Sequence, residues 1–142
     1  MYSGSEQNRA PPVTSPDDLT GLRVLLVEDS AAIGDAVKEL LQVFGAIVAG
    51  PAATIAEAEG LLAQTLPDVA LLDFHLRGGE RSDGLIVRLR QCGVSVVLLT
   101  GSSEFPATSS LIGTTILEKP VSEAQLLAHL SPIATQVKGK LG

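Results

Sequence analysis

The sequence predicts an α/β fold, a doubly wound five-stranded parallel sheet flanked by helices. Short aliphatic runs alternate along the chain with segments whose apolar residues recur at helical spacing. The apolar fraction is 45% but the aromatic fraction only 3%, so Leu, Val, Ile and Ala must fill the core, as they do around buried parallel strands. At 142 residues the chain suits one core and is short for two.

Residues 1–20 contain three Pro and little apolar pattern, and read as a flexible tail ahead of a domain over 21–139. Arg23-Val24-Leu25-Leu26-Val27 is the first strand, ending in Glu28-Asp29-Ser30. From Ala31 to Phe44, the apolar residues Ile33, Val37, Leu40, Leu41 and Phe44 recur at helical spacing, and Gly45 closes the segment. Ile47-Val48-Ala49 is a second strand, after which Gly50-Pro51 turns, and Thr54 opens a helix to about Thr65. Pro67-Asp68 turns into the third strand, Val69 to Leu72. A polar loop from His75 to Asp83 leads to a helix from Gly84 to about Gln91. Val94 to Leu99 is the fourth strand and Thr115 to Glu118 the fifth. Ser122 caps a last helix ending near Lys138, with Gln125 as its capping-box partner and Leu126, Leu127, Leu130, Ile133 and Val137 on its buried side. Between the fourth and fifth strands, Ser102 to Ser110 has poor helix formers and a Pro, so any helix there should be short or mobile.

Charge and composition exclude several classes. Ten Lys and Arg against sixteen Asp and Glu leave a net charge of −6, which argues against nucleic acid and anionic membranes as partners. One Cys allows no internal disulfide, and with two His it leaves no zinc-type ligand set, so the cytoplasm is the expected compartment. No apolar run is long enough for a membrane span, and no basic stretch with an apolar core opens the chain.

Ligands in open α/β sheets bind beyond the carboxyl ends of the strands. Glu28 and Asp29 follow the first strand, Asp73 the third, Thr100 the fourth, and Lys119-Pro120 the fifth. Two unit charges about 4 Å apart interact by roughly 4 kcal/mol at an effective dielectric near 20, so three neighbouring carboxylates call for a cation. Mg²⁺ (or Mn²⁺) suits a few carboxylates with places left for water and phosphate oxygens. Lys119 as a point charge and Thr100 as a donor suit a phosphoryl group carried by an aspartate nucleophile, for which Asp73 is the best placed.

These residues resemble the receiver domain of two-component response regulators, over about residues 22–138. The motifs are Val-Leu-Leu-Val-Glu28-Asp29, Pro67-Asp68-Val-Ala-Leu-Leu-Asp73, Val-Val-Leu-Leu-Thr100-Gly101 and Glu118-Lys119-Pro120. The resemblance implies a flavodoxin-like receiver fold and phosphorylation of Asp73 by a sensor histidine kinase or a histidine phosphotransfer protein. It implies metal binding by Glu28, Asp29, Asp73 and the backbone carbonyl of His75. Thr100 would be the switch hydroxyl, Lys119 the ionic partner of the phosphoryl group, and Lys119-Pro120 a cis peptide. The output would be a conformational signal to a downstream protein partner, without separate enzymatic activity beyond assisting the domain's own phosphorylation and dephosphorylation. A homodimer through the last two strands and last helix fits the same resemblance, and no output domain is expected in this chain.

The chain departs from the usual receiver pattern at several positions. Ile116 stands where the family usually carries Tyr or Phe, so the aromatic half of the switch is missing. The common Pro after the acceptor is absent, and the loop Phe74 to Asp83 looks long. Gly101 after Thr100 and the weak segment beyond it resemble stand-alone receivers with a Phe-Ala-Thr-Gly-type motif. The alternative function is a constitutive protein-binding module with a vestigial acidic pocket. Asp73 to Gly78 also matches the D-x-H-x-x-G ligand motif of cobalamin-binding domains, but after the third strand instead of the first. A phosphatase of the haloacid dehalogenase type would need an acid where His75 stands.

Overall fold

The computed structural model describes residues 18–76, 79–101 and 114–141. Five strands form one parallel sheet: β1 (Arg23–Val27), β2 (Ile47–Ala52), β3 (Val69–Asp73), β4 (Ser95–Thr100) and β5 (Thr115–Glu118). Their order is β2-β1-β3-β4-β5, so the chain reverses its direction of growth between β1 and β3. The helices are α1 (Ala31–Val43), α2 (Ile55–Gln64), α3 (Asp83–Gln91) and α4 (Glu123–Leu141). The expectation for Ser102 to Ser110 falls outside the described residues.

Side chains that alternate along each strand build two cores. Val24 and Leu26, Val69 and Leu71, Val97 and Leu99 face one side, where Leu41 of α1 and Leu126, Leu127, Leu130 and Ala134 of α4 cover them. Leu25 and Val27, Ala70 and Leu72, Val96 and Leu98 face the other, under Ala58 of α2 and Leu85, Ile86 and Leu89 of α3. Every residue of β3 is buried, as the central strand of a sheet covered on both faces must be.

Caps follow the local sequence. Ser30 accepts from the Ile33 amide at 3.3 Å to start α1, and Thr54 accepts from the Glu57 amide at 3.1 Å to start α2. Ser122 and Gln125 form the expected capping box: the Gln125 amide donates to Ser122 Oγ at 3.1 Å and the Ser122 amide to Gln125 Oε1 at 3.0 Å.

Three sequence expectations need correction. The folded part takes in residues 18–20, which the sequence assigned to the tail. Leu19 is fully buried, its amide donates to the Phe44 carbonyl at 2.8 Å, and Asp18 meets Lys138 Nζ at 2.8 Å. Lys138 is the main cause that holds the Asp18 carboxyl well below the usual range. At the other end α4 runs to Leu141, past the expected stop near Lys138.

The second strand does not end at Ala49, because Gly50-Pro51 lies within it as a cis peptide and Ala52 still receives the Glu28 amide at 2.9 Å. Gly50 has φ +108°, and a Cβ there would collide with the Leu26 carbonyl oxygen. Gly34 on α1 is tightly placed too, since its Cβ would sit 2.8 Å from Pro51 Cβ. Ile33, on the first turn of α1, is 52% exposed although it shares the helical spacing of Leu41, which is buried.

Candidate functional site

The carboxyl ends of β1, β3, β4 and β5 meet at one edge of the sheet, since parallel strands all point the same way. Asp73, the last residue of β3, is buried, and its Oδ2 accepts from Lys119 Nζ at 3.0 Å. The same ammonium lies 4.0 Å from Glu28 Oε1. Glu28 is buried as well, and its Oε2 accepts from the Ser30 amide at 3.1 Å. Glu28, Asp29 and Asp73 each offer an oxygen, all within 4.8 Å of one another. Four of the residues named from the sequence, Glu28, Asp29, Asp73 and Lys119, thus lie together at this edge.

Glu28 bears the electrostatic strain of this arrangement. Burial is the main cause that pushes its carboxyl above the ordinary value. The Ser30 amide and Lys119 pull it down, while Asp73 and Asp29 push it up. Such a cluster has the hard oxygen donors and the excess negative charge that a small divalent cation relieves.

Thr100 ends β4, is fully buried, and donates from Oγ1 to the Gly101 carbonyl at 3.2 Å. The Lys119 amide donates to its carbonyl at 2.8 Å, which ties β4 to the Lys119-Pro120 turn. That peptide is cis. Ile116 is half-buried and packs on the α2/α3 side of the sheet.

His75 is exposed, pairs with Arg81 in an antiparallel bridge, and stacks at a tilt against Phe74 with centroids 4.8 Å apart. This bridge explains how the long loop is held. Leu76 donates its amide to the Glu80 carbonyl at 2.9 Å, the Arg81 guanidinium lies 5.0 Å over the Phe74 ring, and Glu80 Oε1 accepts from the Ile55 amide at 3.1 Å. Near this loop, Arg81 pairs with Asp83 at 3.0 Å and Arg88 with Glu59 at 2.8 Å.

Two features escaped the sequence. Ser82 is fully buried, and its Oγ donates to the Asp73 carbonyl at 2.8 Å. The only signal for it was a Ser just before the Asp83-Gly84 helix start. A cavity of about 430 Å³ also opens beside the carboxylates, lined by Ile33, Val37, Leu99, Pro120, Val121 and Leu126 together with Glu28 and Lys119.

The sheet order, the helices on both faces and the acidic edge define the fold of response-regulator receiver domains. Solved structures agree. The chain superposes on a CheY-like receiver domain protein from Methanospirillum hungatei with a TM-score of 0.70 at 23% identity, covering 84% of this chain and 98% of that one. It superposes on the receiver domain of PhyR from Erythrobacter litoralis with a TM-score of 0.68 at 22% identity, covering 82% and 92%. For the response regulator PhyR from Brucella abortus the TM-score is 0.71 at 21% identity, covering 89% of this chain and 53% of that one. The chain therefore spans about half the length of such PhyR proteins. No protein-family model matches the chain, and no curated protein matches it in sequence. Among the described residues no helix is long and apolar enough to cross a membrane.

Proposed function

We propose that this domain is a phosphoacceptor that takes a phosphoryl group from a sensor histidine kinase or a histidine phosphotransfer protein onto Asp73. The observation that carries this reading is the Asp73 carboxylate, buried at the end of the central strand, 3.0 Å from Lys119 and clustered with Glu28 and Asp29. An Asp73 oxygen attacks phosphorus in line, the bond to the donor breaks, and the donor leaves with its electron pair. Lys119 then faces the new phosphoryl oxygens as a point charge. Glu28, Asp29, Asp73 and the His75 carbonyl would hold Mg²⁺ or Mn²⁺, whose chemistry is to neutralise charge on the transferring group. The domain acts as an acceptor that assists its own phosphorylation and dephosphorylation and has no separate substrate. A cytoplasmic location and a protein partner downstream go with this reading, as does a homodimer through β4, β5 and α4.

The test is intact mass after incubation with Mg²⁺ and acetyl phosphate. One added phosphoryl group, labile at alkaline pH and absent from Asp73→Asn, is the expected result. No adduct together with no Mg²⁺ binding overturns the reading. It would favour a constitutive protein-binding module, for which the largely apolar cavity beside the carboxylates, with half-exposed Ile33 at its wall, is the supporting observation.

Switching gives a second prediction. Thr100→Ala should still be phosphorylated but lose most of the phosphorylation-induced amide shifts over residues 100–119 in ¹H–¹⁵N spectra, because its hydroxyl would turn to the phosphoryl group. Ile116→Ala should keep those shifts, since its half-buried side chain packs against the α2/α3 core. The opposite pattern would put the readout on position 116.

A further inference from the structure

Ser82 stands at the N-cap of α3, where a serine ordinarily accepts a hydrogen bond from the first turn of its helix. It makes no such bond. Its hydroxyl turns instead toward β3 and donates to the Asp73 carbonyl at 2.8 Å, with the Phe74 carbonyl at 3.4 Å, and its amide donates to the Phe74 carbonyl at 3.2 Å. The β1–β3 register ends at Val27 and Leu72, one residue short of Asp73. Ser82 thus binds the strand where pairing with β1 has stopped. The bridge between His75 and Arg81 folds the loop back so that a residue nine positions on can reach the strand end.

We propose that Ser82 is a positioning residue for the phosphoacceptor, an inference that rests on Asp73 being that acceptor. By fixing the carbonyls of Asp73 and Phe74 it fixes the backbone from which the Asp73 carboxylate projects toward Lys119. A buried hydroxyl that forgoes its helix cap for this bond holds the carboxylate in the attacking direction, where small displacements cost large factors in rate. Because Ser82 also begins α3, a change at Asp73 is transmitted to that helix through one side chain.

Ser82→Ala tests this beside Leu130→Ala, a fully buried control on α4 packed on the other face of the sheet. Both are measured well below their unfolding midpoints. Ser82→Ala should slow acetyl phosphate labelling on the order of tenfold and move the ¹³C resonance of the Asp73 carboxyl, while Leu130→Ala changes neither despite a comparable or larger loss of stability. If Ser82→Ala does not fold, Ser82→Cys keeps the shape with a weak donor and should show the same effects in smaller degree. Wild-type labelling and an unmoved Asp73 resonance in a folded Ser82 variant would overturn the proposal. Should the unmodified protein itself take no phosphoryl group, the receiver reading has failed, and the Asp73 resonance alone decides whether Ser82 positions that side chain.

Discussion

Lys119→Ala should lose about 2 kcal/mol of stability in metal-free buffer and regain most of it on adding Mg²⁺. Removing one partner of a buried ion pair typically costs about 3–5 kcal/mol, because the other charge is left without compensation. Lys119 is 36% exposed, and water screens part of the loss, which reduces the figure. Asp73 and Glu28 remain buried next to Asp29, so a bound cation should replace the missing ammonium and stabilise the variant more than the wild type. Denaturant titrations with and without Mg²⁺ measure both quantities. An unchanged midpoint in metal-free buffer would mean that Lys119 does not balance the carboxylates.

The same physics gives Glu28→Gln the opposite sign. A carboxyl whose folded value is raised favours the folded state fully below its unfolded value, near 4.5, and loses that contribution as pH rises through the folded value. Gln carries no such loss. The metal-free variant should therefore melt a few degrees higher than wild type at neutral pH, with the gap closing as pH falls toward about 4.5 and absent below it.

Gly50→Ala should cost roughly 3 kcal/mol and lower the melting point by about 10 °C. Two terms combine. A residue with a Cβ at φ +108° is strained by roughly 1–2 kcal/mol, and the new atom meets the Leu26 carbonyl, which is backbone of β1 and cannot rotate away. The neighbouring strand must move, and with it the acidic edge of the sheet. Gly60→Ala is the control: it lies in α2 with nothing within 4 Å, so the substitution should stabilise by roughly 0.5–1 kcal/mol. Equal effects at the two glycines would remove the steric argument.

The five strands and the polar set at their ends were legible because both follow from short-range pattern. A buried parallel strand reads as an aliphatic run, and in a parallel sheet every carboxyl end lies on one edge. Glu28, Asp29, Asp73, Thr100 and Lys119 therefore had to gather there once the sheet was recognised. Tertiary structure alone decided what lies across a contact. Leu19 is buried because it lands beside Phe44, a neighbour no periodicity names. Ile33 follows the helical spacing of its helix yet stays exposed, because the spacing fixes a face but not where the covering layer ends. Gly50-Pro51 reads as a turn locally, but β1 pairs with Ala49 before it and Ala52 after it, so the strand continues through an irregularity at this dipeptide. Ser82 reads only as part of a polar loop, and the return of that loop to β3 gives its hydroxyl a strand carbonyl. Composition and period depend on residues a few positions apart, whereas these contacts join residues the chain brings together only on folding.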